Sequence, residues 1–156
     1  MPERLRRLSQ VFERSPIYFA TICTTNRRAI LANNIVHSAF VDFARIGPTH
    51  GAWVGAYVIM PDHLHLFLSF DRDSITLSAW VKSLKNALSK VLRPSENPSP
   101  QWQKGFFDHV LRSQESYGEK WNYVRQNPVR AGFVEEWKDW PYLGEIFDLE
   151  YRRDRI

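Results

Sequence analysis

The sequence predicts an α+β fold: one mainly antiparallel sheet with helices packed on one face. Three observations carry that prediction. Short runs rich in aromatic and β-branched residues alternate with longer segments whose apolar residues recur at helical spacing. Two of the short runs, within Trp53 to Phe70, are separated by Pro61-Asp62, and a proline at the first central position of a tight turn suits a hairpin-like connection. The resulting order of strand, helix, strand, strand, helix, strand, helix belongs to one sheet layered with helices. A length of 156 residues has room for one domain, 1–156, including a basic N-terminal arm at 1–16 and a C-terminal tail at 143–156.

Taken in order, Leu5, Leu8 and Phe12 fall at helical spacing among Arg4, Arg6, Arg7 and Arg14, a pattern shared by a short basic helix and a solvated leader. Ile17 to Thr24 is aromatic and β-branched and runs into Asn26-Arg27-Arg28, which reads as a strand followed by a basic turn. Ile35, Ala39 and Phe43 define a helix from Asn34 to Arg45 that Gly47-Pro48 stops. After the hairpin, Ser74 is placed to cap a helix running to about Arg93. Its apolar stripe is Leu77, Val81, Leu84, Leu88 and Val91, with Lys82, Asn86, Ser89 and Arg93 opposite. The prolines between Arg93 and Gln101 mark an exposed loop. Gly105 to Arg112 reads as a strand and Ser113 to Asn127 as a helix, with Glu115 and Glu119 early and Lys120 and Arg125 late, as the macrodipole favours. Pro128 ends it, because the residue before a proline is disfavoured in the α region.

Composition narrows the class of protein. With 44% hydrophobic and 14% aromatic residues the chain can bury a core, and 24% charged residues fit neither a fibrous nor a disordered chain. One cysteine, Cys23, cannot form an intramolecular disulfide, and no secretory leader pattern is present, so a reducing cytoplasm is expected. No apolar run approaches the ~20 residues that span a bilayer, so no membrane partner is expected. The formal charge of +4 is a modest bias toward polyanions. Lys82, Lys85, Lys90 and Arg93 concentrate it in a stretch, Ser74 to Ser95, that holds no acidic residue. Such a helix face tracks a phosphate backbone or is simply solvated.

Four residues have the spacing of a chemical site. His63 and His65 lie two apart in a strand, so both project from one sheet face with Cβ atoms roughly 7 Å apart, within reach of one metal ion. Two ring nitrogens are half a site, and His-x-His alone has little specificity. Tyr123 and Asn127 are four apart on the last helix and fall together to one side of the Tyr117, Trp121 and Val124 stripe. With this helix beside the histidine strand, Asn127 supplies a third ligand oxygen and Tyr123 aims its hydroxyl at whatever the metal holds. That arrangement suits phosphodiester cleavage by an oxygen nucleophile, either the tyrosine or a water. An amide and a phosphate oxygen favour Mg²⁺ or Mn²⁺, and the imidazoles also admit Zn²⁺.

The residues Met60-Pro61-Asp62-His63-Leu64-His65-Leu66 resemble the Met-Pro-Asp/Asn-His-x-His motif of single-tyrosine HUH transposases. Trp102 to Arg112, Tyr123 to Gly132 and Asp139-Trp140-Pro141-Tyr142 resemble, in the same order, successive blocks of the REP-associated tyrosine transposases, and Tyr18 to Arg28 resembles their first strand. The resemblance implies an RRM-like sheet, His63, His65 and Asn127 as metal ligands, and Tyr123 as the nucleophile. It implies cleavage of single-stranded DNA at hairpin-forming repeats through a 5′-phosphotyrosine, followed by strand transfer. Candidate DNA contacts are then Arg27, Arg28, Lys82, Lys85, Lys90 and Arg93, joined by Lys104, Arg112, Arg125 and Arg130 from the matched blocks. His109 fits either a site role or a structural one, and Trp53, Trp80 and Trp102 either stack on bases or fill the core. The alternative function is a domesticated protein that grips hairpin DNA without cutting it. The sequence leaves monomer and homodimer open.

Overall fold

The computed structural model describes residues 16–71, 75–92, 96–97, 100–111 and 116–149. Residues 1–15 of the basic arm, Ser74, Arg93, Arg112, residues 113–115 of the last predicted helix and residues 150–156 of the tail lie outside the described residues.

Among the described residues five strands, β1 (Tyr18–Cys23), β2 (Ala52–Ile59), β3 (His63–Phe70), β4 (Phe107–Val110) and β5 (Leu143–Glu145), form one antiparallel sheet in the order β4-β1-β3-β2-β5. The chain between β1 and β2 carries helix α1 (Asn34–Ile46), and the chain between β3 and β4 carries α2 (Leu77–Val91). Each connection skips one strand, and because such crossovers share a hand both helices fall on the same face. There Val36 and Phe40 of α1 and Trp80, Val81, Leu84 and Leu88 of α2 bury themselves against Ile22, Leu64, Leu66 and Leu68. This is the α+β sheet with helices on one face that the alternation predicts. A shorter helix, α3 (Tyr117–Val124), lies on the other face, where Tyr117 and Val124 close a smaller core over Trp53, Val58 and Phe67.

Local chemistry explains the boundaries. Asn33 Oδ1 accepts from Val36 N at 2.9 Å, Thr76 Oγ1 from Ala79 N at 3.1 Å and Ser116 Oγ from Glu119 N at 3.1 Å, each satisfying an orphan donor in a first turn. The cap of α2 is therefore Thr76, two residues beyond the predicted Ser74. The buried stripe of α1 is Val36, Phe40 and Ala44, one position on from the expected Ile35, Ala39 and Phe43, and Ile35 is 59% exposed. Both sets repeat every four residues, so spacing alone does not choose between them.

Pro128 does not end the last helix as expected. Proline lacks the N–H that would bond to Val124 and its ring crowds that carbonyl, so α3 stops at Val124; yet proline is at ease in a first turn, and a helical turn, α4 (Asn127–Arg130), restarts around it. The expected tail at 143–156 also contributes structure: Leu143–Glu145 is the edge strand β5 and Leu149 is fully buried.

One irregularity anchors α3. Val54 pairs with Leu68 but Tyr57 with Leu66, so β2 carries one extra residue, a bulge. Tyr117 Oη accepts from Ala56 N at 2.7 Å within the bulge and donates to Glu145 Oε2 at 2.9 Å. Gly55 makes the approach possible, because a Cβ there would lie 2.5 Å from that hydroxyl.

Candidate active site

Since Leu64, Leu66 and Leu68 face the two-helix core, the period of two turns His63, His65 and Phe67 toward the face that carries α3. The imidazole centroids are 4.8 Å apart with their planes at 79°. His63 Nδ1 is 2.7 Å from Asp62 Oδ1, and His65 Nδ1 is 2.8 Å from the hydroxyl of Thr21, its register partner on β1. A proton on Nδ1 of each ring satisfies both contacts and leaves two Nε2 lone pairs for a common cation, the usual anchoring of metal-binding histidines. Arg27 Nη2, 3.3 Å from His63 Nδ1, is in that tautomer a neighbour and not a donor.

Arg27 completes the anchor, its Nε donating to Asp62 Oδ2 at 2.8 Å. Asn26 and Arg27 adopt φ of 54° and 53° on the turn leaving β1, a left-handed backbone that costs non-glycine residues on the order of 1–3 kcal/mol each and concentrates at functional sites. Burial pushes the Asp62 carboxyl up, but hydrogen bonds from Arg27 and His63 outweigh it and hold the group below its ordinary value; Asp62 raises Arg27 in return. Burial, aided electrostatically by His63 and by the positive charges of Arg27, Arg130 and Lys120, pushes the His65 imidazole down to about 3. His65 is thus a neutral donor at physiological pH.

Across this face, Lys120 Nζ lies 4.9 Å from the centre of the Phe19 ring, which stacks on His65, so α3 reaches the histidines. Tyr123 is 67% exposed, one residue before the buried Val124. Asn127 lies beyond the helix break, yet the Arg130 guanidinium contacts both residues, lying 4.1 Å from the Tyr123 ring centre and donating to Asn127 Oδ1. The four nominated residues thus share one face. Among the described residues no three His, Cys, Asp or Glu side chains come together, so a cation on the histidine pair needs an amide, water or phosphate to complete it.

The basic candidates separate. Arg27 lies against His63 and Asp62, Arg130 lies against Tyr123 and Asn127, and Lys104 is exposed on the segment leading into β4. Arg28 Nη2 donates to Pro100 O, and Lys85 Nζ donates to the carbonyls of Gln103 and Gly105 at 3.0 and 2.7 Å, both binding the chain to itself. Lys82 and Lys90 are exposed on α2, across the sheet from the histidines, and Arg125 packs 4.1 Å from the Trp137 ring centre. Arg93 and Arg112 lie outside the described residues. His109 is exposed on β4 opposite Phe19, whereas Trp53 and Trp80 are core. Sequence reasoning assigned no role to Asp62 or Thr21. Asp62 stood next to His63 and invited one; only strand register reveals Thr21.

The histidine pair lies on the central strand of the sheet, and α3 carries Tyr123 on the face toward which the pair points. The chain belongs to the IS200-like transposase family, whose model matches residues 15–127 and so takes in all four nominated residues. A Haemophilus influenzae protein described as a REP-associated tyrosine transposase is 25% identical over 141 residues, covering 84% of this chain and 80% of its own, and the Escherichia coli REP-associated tyrosine transposase is 24% identical over 128 residues, covering 80% and 73%. The structure of a REP-associated tyrosine transposase bound to a REP hairpin superposes with a TM-score of 0.62 at 23% identity, over 90% of this chain and 79% of that one. A Deinococcus radiodurans protein described as a transposase gives a TM-score of 0.51 at 21% identity, over 72% and 90%. The resemblance read from the sequence is borne out. No helix among the described residues is long and apolar enough to cross a membrane.

Proposed function

We propose that this protein is a metal-dependent single-stranded DNA endonuclease and strand transferase that acts at hairpin-forming repeats. The observation that carries the reading is the anchored pair: Asp62 and Thr21 occupy both Nδ1 atoms, so His63 and His65 have both Nε2 atoms to offer on the face where α3 exposes Tyr123. The two imidazole nitrogens and the Asn127 amide would hold a divalent cation with positions left for substrate, and the amide and phosphate oxygens favour Mg²⁺ or Mn²⁺. When bound, such a cation polarises a non-bridging oxygen of the cleaved phosphate. Tyr123 Oη attacks the phosphorus and loses its proton; the bond to the 3′ oxygen breaks, that oxygen takes up a proton, and a 5′-phosphotyrosine and a 3′-hydroxyl result. Strand transfer is the reverse, with the 3′-hydroxyl of another end as nucleophile. Arg130 and Lys120 supply positive charge for the phosphate. The hairpin substrate is supported by the relative solved on a REP hairpin.

The test is incubation with Mn²⁺ and a hairpin bearing single-stranded arms, labelled on the 3′ side of the cut. A covalent protein–DNA adduct that Tyr123→Phe abolishes is expected. Cleavage that survives Tyr123→Phe but not His63→Ala would assign the chemistry to water instead. One observation favours a second reading, hairpin binding without cleavage: Asn127 Oδ1 is held by Arg130. Tight binding with no cut under any divalent metal would select it.

A further inference from the structure

We propose that a hollow beside the histidine pair receives one unpaired nucleotide of the strand being cut, its base against Trp102 and its phosphate between Arg27 and Lys104. The inference rests on the function proposed above and adds a place where the protein reads the DNA next to the cut. The hollow has a volume of about 530 Å³, within the roughly 300–1,000 Å³ of small-ligand sites. One wall is the left-handed turn at Asn26 and Arg27, and the other is the segment Trp102, Gln103 and Lys104 that leads into β4. It lies at the sheet end where β3 begins, since Cys23, the last residue of β1, is the register partner of His63, and its Trp102 wall packs on the two-helix side of the sheet.

The walls are built before any ligand arrives. Thr24 bridges Trp102, Thr25 N donates to Gln101 O at 3.0 Å, and Gln103 N donates to Cys23 O at 2.9 Å, so the two segments are laced together. Lys85 fastens the carbonyls of Gln103 and Gly105 from below, and the Trp102 indole is fixed by its Nε1 donating to Ser89 Oγ at 2.8 Å. A pocket whose aromatic wall is already ordered gives up little entropy on binding.

Its chemistry selects a nucleotide. A π surface with two cations is the recurring combination for single-stranded nucleic acid, the ring taking a base and the cations its phosphate. Lys104 is exposed, and the Arg27 side chain, though paired with Asp62, keeps 57% of its surface in solvent and donors to spare. The Asn26 and Gln103 amides at the rim offer both donors and acceptors, which a base edge requires and a bare phosphate does not. Arg27 joins the hollow to the chemistry: the guanidinium that lines it lies 3.3 Å from His63 Nδ1.

The experiment measures binding of full-length Tyr123→Phe protein to a hairpin with single-stranded arms, each arm nucleotide being replaced in turn by an abasic one. One position next to the cut, mapped from the adduct of the unaltered protein, should weaken binding about tenfold, the usual worth of a stacked base. Adding Lys104→Ala, or Gln103→Trp to fill the hollow, should flatten that profile and weaken binding of the armed hairpin more than of the arm-less one; both sites are exposed, and a thermal melt checks the fold. A flat profile in the parent protein, or an identical dip in both variants, overturns the proposal. If the dip is present and the variants erase it but the unaltered protein never forms an adduct, the pocket stands and the cleavage reading fails; an adduct with a flat profile is the converse.

Discussion

The guanidinium of Arg130 lies over the ring of Tyr123 while it donates to Asn127 Oδ1, so one cation holds both the proposed nucleophile and the proposed third ligand. Two positive groups compete poorly for one amide oxygen. Arriving phosphate offers the guanidinium a stronger, bidentate partner and would free the amide. Arg130→Ala should therefore bind Mn²⁺ several-fold more tightly without DNA, since an exposed charge of about 1 kcal/mol no longer opposes it, and yet form the DNA adduct more slowly. Paramagnetic titration and single-turnover adduct assays read the two effects separately. Equal losses in both would show that Arg130 only supports the fold.

Asp62 fixes His63 through Nδ1, and loss of such an anchor costs a metal site roughly 10–100-fold in affinity. Asp62→Ala should weaken Mn²⁺ binding by about that factor; the pair it breaks with the exposed Arg27 is worth little, so the part-buried contact with His63 sets the cost in melting temperature. Asp62→Asn keeps an oxygen that accepts from Nδ1–H and should retain most of the affinity. The two residue types that the motif admits at this position share that acceptor. Alanine and asparagine variants with the same affinity would disprove the anchor.

These residues show which parts of the site the sequence carried. Period two placed His63 and His65 on one face, and the apolar stripe of α3 pushed Tyr123 off the core side; both are properties of a single element and survive folding. Thr21 and Arg27 reach the histidines from another strand and its turn, through register and a left-handed backbone that no local pattern encodes. Asn127 is intermediate: its spacing from Tyr123 was legible, but the break that Pro128 imposes was misread as an end. Basic charge was the weakest guide, because a lysine looks the same in sequence whether it faces solvent, as Lys82 does, or caps carbonyls, as Lys85 does.

Acid should unfold the metal-free protein earlier than its carboxylates alone require. His65 titrates near its ordinary 6.5 when unfolded but is pushed down to about 3 in the fold. Between those values the unfolded chain binds the extra proton, so stability falls as pH drops below about 6.5, by roughly 1 kcal/mol per pH unit for one such group. His37, also lowered by burial, adds in the same direction. Urea titrations at pH 7.5 and 5.5 should show a smaller drop for His65→Gln than for the parent, with the His37 share remaining. Identical pH slopes would mean that His65 takes up its proton without cost.

The bulge in β2 sets where α3 lies, and with it Tyr123. Tyr117→Phe strands the Ala56 N–H that its hydroxyl serves, which should cost about 1–3 kcal/mol. Gly55→Ala puts a methyl 2.5 Å from that hydroxyl and 2.7 Å from Leu149 Cδ1, an overpacking of about the same size. In the double variant the hydroxyl is absent, so part of the clash vanishes and the combined loss should fall short of the sum, the Leu149 contact keeping it from vanishing entirely. Because Tyr117 and Tyr123 share one short helix, Gly55→Ala should also slow adduct formation while the histidine pair binds Mn²⁺ as before. Additive stability losses would show that glycine and hydroxyl do not meet, and unchanged adduct formation in Gly55→Ala would show that the bulge leaves Tyr123 where it is.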